Sequence, residues 1–229
     1  MISAGLVGVD GRRAILGARI DVVKQRVTVS GVAVRPPVPG HVVLVLNKPA
    51  GVVTTMKDER KRASVADFAP PGRRLFPVGR LDADSTGLLL LTSDGELGRR
   101  LSHPSFGLPK RYRIRVAGSV GDSALQRLGS TGMVRRFEQE TEFEITLREG
   151  KNRQIRRMCA HAGIRVIGLT RIGFGPLSLG DLKPGKVRTL TAQERAALAR
   201  AVQQEQASCR AAGCPLRSSK NLALRDYSG

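Results

Sequence analysis

Hydrophobic and polar positions follow two periods along this chain, and together they predict a fold built from both strands and helices. Strands are predicted at residues 41–46, 88–91, 110–116, 138–147, 166–169 and within 177–190. The runs at 41–46 and 88–91 are apolar, which is typical of strands buried on both faces. The segments at 110–116 and 138–147 alternate apolar and polar residues, which predicts strands with one buried face.

Helical periodicity is clearest from residue 152 to residue 162. The apolar positions of its predicted buried stripe are Ile155, Met158, Cys159 and Ala162. Gly163 follows, as expected for a left-handed C-terminal cap. Further helices are predicted at 64–68, at 95–101, at 123–128 and from residue 191 onward.

The composition divides the chain into three parts. In residues 1–35, Asp-Gly and Ser-Gly dipeptides separate β-branched runs, which predicts β-hairpins. The main α+β domain is predicted over 36–206, and it opens with a proline-rich linker. Residues 207–229 lack an apolar period and are predicted to form a disordered basic tail.

The chain carries a large excess of positive charge. Its 229 residues include 39 Lys and Arg against 19 Asp and Glu, a formal net charge of +20. Solubility needs less than this, so the excess predicts a polyanionic partner such as nucleic acid. With no Trp, two Tyr and six Phe, the chain can hardly build an extended base-stacking platform. The predicted contacts are therefore mainly to phosphate and sugar.

Several classes of protein are disfavoured by what the sequence lacks. Three cysteines and three histidines show no metal-ligand spacing, so no metal site is expected. No apolar run reaches about 18 residues, and the N-terminal residues do not resemble a signal peptide. There is no phosphate-binding loop, so no nucleotide cofactor is expected. We therefore expect a cytoplasmic protein that needs no cofactor and spans no membrane.

The most unusual stretch runs from residue 79 to residue 95, where charged residues come directly before a buried strand. Arg80, Asp82 and Asp84 crowd together there. Two interpretations are open from the residues alone. Asp and Ser in such loops often shape turns by accepting backbone N–H groups, whereas a carboxylate fixed at the head of a buried strand is held rigidly enough for catalysis. Asp84 is predicted to be turn-forming and, in an extended segment, to point away from Asp82.

Three motifs occur in order along the chain. They are Leu-Asn-Lys-Pro-Ala-Gly in 46–51, Gly-Arg-Leu-Asp with Ser-Thr-Gly-Leu in 79–88, and Gly-Lys-Asn-Arg-Gln-Ile-Arg-Arg-Met in 150–158. Together they resemble the signature of RNA pseudouridine synthases of the RsuA type. The resemblance implies a mixed, mostly antiparallel sheet with flanking helices and a central cleft. It also implies that a specific uridine of ribosomal RNA is isomerised to pseudouridine.

The resemblance assigns roles to individual residues. Asp82 matches the catalytic carboxylate, and Arg156 matches the arginine that grips it in bidentate fashion. Arg80 matches an arginine that holds the target nucleotide outside the RNA stack. Tyr112 matches a tyrosine that stacks on the target base, although the alternating pattern alone makes it a core aromatic.

A second set of basic residues is expected to bind the RNA. These residues are Lys48, Lys110, Lys151, Arg153 and Arg157. Arg153 and Arg157 share a helical stripe with Arg156, and a charged helix face is ordinarily only solvated. Because few acidic residues lie beside these basic residues in the sequence, we expect the stripe to contact RNA. The expected partner is ribosomal RNA or a ribosomal precursor particle, bound by a monomer.

Residues 2–11 resemble the closing strands of the alpha-L type RNA-binding module that precedes the catalytic domain in RsuA-type enzymes. The two leading helices of that module would lie before Met1. Residues 1–35 are therefore interpreted either as a truncated module or as a β-hairpin that covers an edge of the next domain.

Two functions without catalysis stand beside the enzyme hypothesis. The first is a ribosome-assembly factor in which the same surface only binds ribosomal RNA. The second, a regulator that binds duplex DNA, is weaker because no helix-turn-helix pairing is present.

Overall fold

The computed structural model describes residues 1–21, 25–34, 41–103 and 107–211. They belong to two compact units, Met1–Gly40 and His41–Gly229. The proline-rich linker predicted after residue 35 lies outside the described residues. No helix in the described part of the chain is long and apolar enough to cross a membrane.

The N-terminal unit is a small antiparallel sheet of two hairpins. Its strands are β1 (Val7–Val9), β2 (Arg12–Arg13), β3 (Val27–Val29) and β4 (Val32–Ala33), in the order β2-β1-β3-β4. Asp10 and Gly11 turn the first hairpin and Ser30 and Gly31 the second, all with positive φ. Two successive positive-φ residues are what a two-residue type I′ turn requires. The hairpins predicted from the Asp-Gly and Ser-Gly dipeptides are therefore present.

The second unit contains the remaining elements. Its strands are β5 (Val43–Lys48), β6 (Phe76–Val78), β7 (Thr86–Thr92), β8 (Lys110–Ala117), β9 (Ser130–Arg136), β10 (Glu140–Leu147), β11 (Val166–Phe174), β12 (Leu177–Ser178) and β13 (Val187–Thr189). Its helices are α1 (Gly95–Ser102), α2 (Asp122–Arg127), α3 (Gln154–His161) and α4 (Ala192–Ala211), with a 3₁₀ helix at Val65–Phe68.

The strands of this unit form one mixed sheet. They run in the order β13-β5-β7-β11-β8-β10-β9, with β6 paired to β7 and β12 paired to β11. Among the described strands, β7 and β11 are parallel and the other pairs are antiparallel. The predicted fold, a mostly antiparallel sheet with flanking helices, is confirmed.

Strand β7 is buried on both faces, as its run of leucines predicts. Leu89 and Leu91 pack into one core, which also contains residues of β8, β10 and α3. Leu88 and Leu90 pack into a second core with residues of α1 and α4. The carboxylate of Asp94 caps α1 by accepting the backbone N–H groups of Glu96 and Leu97. Strand β7 is thus held by apolar packing on both faces.

Three elements differ from the sequence-based expectation. Strand β6 is only three residues long and was not predicted. Strand β9 is mostly exposed, so its residues lack the apolar pattern by which a strand is recognised. Helix α4 continues through Ala211, so the disorder predicted from residue 207 is wrong for residues 207–211. Alanine, glutamine and arginine favour helix even without an apolar period. The rest of the predicted tail lies outside the described residues.

The parallel strands β7 and β11 meet at a glycine. Gly87 lies opposite Arg171, and its φ of +102° is in the region that favours glycine. A Cβ at Gly87 would lie 2.3 Å from the carbonyl oxygen of Arg171 and 2.7 Å from its backbone nitrogen. A glycine at this position therefore allows β7 and β11 to meet.

Replacing Gly87 by alanine is expected to lower the free energy of unfolding by more than about 2 kcal/mol, because it combines a strained φ with a backbone clash. Urea unfolding followed by circular dichroism measures the change. Gly72→Ala is the matched control, since Gly72 has a φ of +79° but nothing within 4 Å of the added Cβ. The control is expected to lose only about 1 kcal/mol. Equal losses in the two variants would contradict the role given to the close approach.

Candidate active site

A pocket opens where the loop before β7 meets the loop before α3. Its lining residues are Arg80, Leu81, Asp82, Ser85, Tyr112, Leu147, Glu149, Gly150, Lys151, Asn152, Arg153, Gln154, Ile155 and Leu169. The apolar residues are mostly buried and come from β8, β10, β11, α3 and, for Leu81, the loop, whereas the charged ones come from the two loops and are mostly exposed. The pocket is therefore apolar at its base and charged at its rim.

The carboxylate-bearing loop is held by hydrogen bonds to its backbone. The hydroxyl of Thr54 donates to the carbonyl oxygen of Leu81 at 2.6 Å and accepts the Leu81 N–H at 3.2 Å. The carbonyl oxygen of Ala83 accepts the N–H of Gly51 at 2.8 Å and the Nζ of Lys48 at 3.4 Å. Asp82, between these two anchored residues, is thereby fixed relative to the sheet.

The same loop contains a tight turn. The N–H of Ser85 donates to the carbonyl oxygen of Asp82 at 3.0 Å. The carbonyl oxygen of Asp84 accepts Nη2 of Arg156 at 3.0 Å. With the bonds to Leu81 and Ala83, four successive carbonyl groups of the loop are therefore satisfied, which is the condition for a rigid loop away from regular structure.

The turn corrects the expectation for Asp84. In an extended segment its side chain would point away from Asp82, but the turn between Asp82 and Ser85 removes that alternation. The Asp84 carboxylate instead accepts Nη1 and Nη2 of Arg153 at 3.3 and 3.1 Å, and Nη2 of Arg156 lies 3.3 Å away. Asp84 is therefore more than a turn-forming residue.

The pairing expected between Arg156 and Asp82 is not made in this structure. Arg156 contacts the carboxylate and the carbonyl of Asp84, and it is Arg153 that approaches the Asp82 carboxylate, at 3.7 Å. That distance is an ion pair but too long for a hydrogen bond. The Asp82 side chain is 29% exposed and lines the pocket. The guanidinium of Arg153 thus lies beside the Asp82 carboxylate without a hydrogen bond to it.

Electrostatics around the loop favour ionisation of Asp84. Burial opposes ionisation of Asp84, but the hydrogen bond from Arg153 and the charges of Arg156 and Arg153 outweigh it and lower the pKa of Asp84. Asp84 is therefore an anion at neutral pH. Together with Asp82 it balances a cluster of cations that would otherwise repel one another.

Arg153 has an unusual backbone position. It precedes α3 with φ 47° and ψ 34°, a left-handed conformation that is rare for residues other than glycine. Helix α3 begins at Gln154, so the basic stripe expected along one helix is divided. The Arg156 side chain is 16% exposed and directed to the loop, whereas Arg157 is exposed and does not line the pocket.

Two lysines expected on the RNA-binding surface bond to backbone carbonyl groups at the ends of strands. Lys48 is fully buried, and its Nζ donates to the carbonyl oxygens of Pro49 and Ala83. Lys110 is half-buried, and its Nζ donates to the carbonyl oxygens of Leu108 and Arg148. In this arrangement Lys48 anchors backbone and does not present its charge to a phosphate.

The other expected residues lie at the pocket. Arg80 and Lys151 are exposed at its rim, where Lys151 pairs with Glu149 at 2.8 Å. Tyr112 is 8% exposed and belongs to the core while also lining the pocket. The two interpretations of Tyr112 are thus compatible, because one part of the ring can pack while an edge faces the pocket.

Sequence reasoning missed Thr54, Gly51 and the charge partners of Asp84. Thr54 bonds to a residue 27 positions away, so no local pattern reveals it. Its neighbourhood, directly after the motif at 46–51, was the one available signal. No group of three or more His, Cys, Asp or Glu residues suited to a metal occurs within the described ranges.

Comparisons with known proteins identify relatives of the chain. The family described as RNA pseudouridylate synthase matches residues 42–161. An RNA pseudouridine synthase of Mycobacterium bovis is 41% identical over 220 residues, covering 88% of this chain and 86% of that protein. The ribosomal large subunit pseudouridine synthase B of Haemophilus influenzae is 39% identical, covering 78% of this chain and 56% of that protein. A crystal structure of a pseudouridylate synthase is similar with a TM-score of 0.61 and 26% identity, covering 86% of this chain and 90% of that one.

The buried position of Lys48 predicts a pH dependence of stability. Desolvation lowers the pKa of Lys48 to about 8, against the opposing charges of Asp84 and Asp82. Below pH 8 both the folded and the unfolded chain hold the proton, and the penalty for the buried charge is fully present. Between about pH 8 and pH 10.5 only the unfolded chain holds it, so the free energy of unfolding contributed by this site rises with pH, by about 3 kcal/mol in total.

Urea unfolding of the wild type and of Lys48→Met between pH 7 and pH 10 measures this contribution. The free energy of unfolding of the wild type is expected to rise with pH relative to that of Lys48→Met. Lys57→Met, which removes an exposed lysine, controls for the change in net charge. Parallel pH curves for the wild type and Lys48→Met would show that the lysine is not desolvated.

Proposed function

The chain belongs to the RNA pseudouridylate synthase family and is an RNA pseudouridine synthase, and we propose that its substrate is ribosomal RNA and that Asp82 is its catalytic carboxylate. The resemblance inferred from the three motifs is confirmed by the family match and the relatives. The observation that carries the proposal is the placement of Asp82: a carboxylate on a loop with satisfied carbonyls, in a pocket between Tyr112 and Arg153.

The reaction breaks the bond between C1′ of the ribose and N1 of uracil, rotates the base, and forms a bond between C1′ and C5. The proton leaves C5 and N1 gains one, so no atoms or electrons are exchanged with a cofactor. Two routes suit a fixed carboxylate beside the sugar. It can add to the substrate as a nucleophile, or it can assist removal of a proton and stabilise the developing positive charge.

The pocket suits a nucleotide that has been turned out of its stack. Its apolar base, with Tyr112 and Leu169, supports stacking of a single base. Arg80, Lys151 and Arg153 at the rim supply positive charge for the neighbouring phosphates. Stacking of one RNA base with contacts mainly to phosphates matches a chain with many basic and few aromatic residues. Arg157, outside the pocket, is placed to contact RNA further from the target.

The relatives support the proposed substrate. The Haemophilus influenzae relative is named for the ribosomal large subunit, which favours large-subunit ribosomal RNA or a precursor particle as the partner. We further propose that the chain acts as a monomer in the cytoplasm, since Asp82, Tyr112 and Arg153 come together within a single chain.

Asp82→Asn is expected to reduce tritium release from ribosomal RNA labelled at C5 of uridine on the order of 10³-fold, since asparagine keeps the shape but loses the charge. RNA affinity, measured by filter binding, is expected to stay within about twofold because contacts to phosphate are intact. Asp58→Asn is the matched control, an aspartate paired with Arg62 and outside the pocket lining. Full activity in Asp82→Asn would refute the proposed role. If the wild type released tritium from small-subunit but not from large-subunit ribosomal RNA transcripts, the proposed large-subunit substrate would be wrong.

The hydroxyl of Thr54 provides a second test. Thr54→Val keeps the side-chain shape and removes both hydrogen bonds to Leu81, so kcat is expected to fall about tenfold or more as Asp82 loses its fixed position. Thr54→Ser keeps the hydroxyl and is expected to retain most of the activity. KM for the RNA should be nearly unchanged in both. If valine and serine behaved alike, the hydrogen bonds would not be what positions Asp82.

A further inference from the structure

Ser85 carries a buried hydroxyl group without a partner. The residue lines the pocket and is 2% exposed, and its Oγ makes no hydrogen bond within the described part of the chain. Buried polar atoms are rarely left unpaired, because nothing then compensates the loss of their bonds to water. Two other buried atoms share this condition, Nε of Arg156 and Nη2 of Arg171, but neither residue lines the pocket. The hydroxyl of Ser85 is therefore the one whose missing partner a ligand in the pocket can supply.

The backbone fixes Ser85 close to the proposed catalytic carboxylate. Its N–H donates to the carbonyl oxygen of Asp82 at 3.0 Å, and a turn of this kind brings its two end Cα atoms within about 7 Å of each other. The next residue, Thr86, is the first of β7 and pairs with Thr170 of β11. Ser85 is thus held between the turn and the sheet. A nucleotide with its ribose beside Asp82 has its base within reach of Ser85.

The deepest part of the pocket is nearly devoid of hydrogen-bonding side chains. The Asp82 side chain is 29% exposed, whereas five residues of the lining are buried. These residues are Leu81, Ser85, Tyr112, Ile155 and Leu169. Only Ser85 and Tyr112 among them carry a polar side-chain group. A uracil base that enters this part leaves water with O2, N3–H and O4, and each of these groups then needs a new partner.

We propose that the Ser85 hydroxyl donates a hydrogen bond to a carbonyl oxygen of the target uracil, so that Ser85 holds the base during the reaction. The inference rests on the proposed function of the pocket. The bond removes two penalties at once, because it pairs the buried hydroxyl and a buried carbonyl oxygen with each other.

The symmetry of the uracil ring suits this role. The two carbonyl groups lie on either side of the line through N3 and C6. A half-turn about this line brings C5 to the place of N1 and exchanges O2 with O4. A donor fixed beside the ring therefore meets a carbonyl oxygen both before and after the base has rotated.

The hydroxyl can reach the base without a change in the loop. Its oxygen is buried in the free protein, but serine has a single side-chain torsion between heavy atoms. Rotation about χ1 moves Oγ between staggered positions while the backbone bond to Asp82 stays in place.

The first test is Ser85→Ala in single-turnover reactions with a large-subunit ribosomal RNA transcript labelled with tritium at C5 of uridine. The rate is expected to fall about tenfold, because a carbonyl oxygen of the buried base is left without a donor. The thermal unfolding temperature is expected to be unchanged or higher, because the hydroxyl has no partner to lose in the free protein. An unchanged rate, or a lower unfolding temperature, would overturn the inference.

Ser93→Ala is the matched control for this test. The hydroxyl of Ser93 accepts the N–H of Val42 at 2.9 Å, and Ser93 is not part of the pocket lining. Its removal leaves that N–H unpaired, so the unfolding temperature is expected to fall while the rate stays at the wild-type value. If Ser93→Ala slowed the reaction as much as Ser85→Ala, the loss of rate would come from the fold and the inference would be overturned.

The second test asks whether the effect of Ser85 depends on the base. Short RNAs span the uridine that the wild type converts, located by mapping pseudouridine in the transcript, and carry either uridine or an abasic ribose there. Binding is compared between Asp82→Asn and the double variant with Ser85→Ala, so that no RNA is converted. The double variant is expected to bind the uridine RNA about tenfold more weakly and the abasic RNA equally well. Equal affinities for the uridine RNA, or equal losses on both RNAs, would overturn the inference.

These experiments keep the two proposals apart. If Asp82→Asn abolishes the reaction but Ser85→Ala reacts at the wild-type rate, the inference about Ser85 alone fails. If Asp82→Asn reacts normally, the proposed role of Asp82 fails, whereas the comparison of uridine and abasic RNA still decides whether Ser85 contacts the base.

Discussion

The structure depends on the hydrogen bonding of a short loop that has no regular secondary structure. Thr54, Gly51, Lys48 and Arg156 reach this loop from other parts of the chain and satisfy the backbone of residues 81–84. A loop at a protein surface ordinarily gains little from such bonds, because water competes for them. Here the bonds are partly buried and converge from several elements, so the loop is as well defined as the strands around it.

The sheet explains why the loop can be held in this way. Strand β7 is anchored by leucines on both faces, and its first residues lie against β11 where Gly87 allows close contact. Helix α3 packs on the same core through Ile155 and Cys159. The arginines that follow Asn152 are therefore carried to the loop by packing that has nothing to do with their charge. Apolar burial places the elements, and electrostatics then arranges the side chains.

The sequence predicts most of the fold and part of the site. Buried strands such as β5 and β7 are found from apolar runs, and β8 from strict alternation, because burial leaves a local pattern. Asp82 and Tyr112 line one pocket, but Arg153 lines it where Arg156 was expected. The partner of each charged side chain is not predictable in this way, because hydrogen-bond geometry between distant segments is set by three-dimensional packing. Lys48 is buried, and Arg156 pairs with Asp84 and not with Asp82. Strand β9 is mostly exposed, so it leaves no apolar pattern in the sequence and contributes little to the core.

The parallel pairing of β7 with β11 has a consequence for the order in which the molecule forms during synthesis. Thr86 meets Thr170, 84 positions later in the chain, and their hydroxyl groups are 2.8 Å apart. Contacts between such distant segments form late in folding, because the intervening chain must first be ordered. A nascent chain that has not yet emerged beyond β10 carries the carboxylates of the loop but not the arginines that neutralise them. An incomplete chain that ends before α3 would therefore lack an assembled pocket.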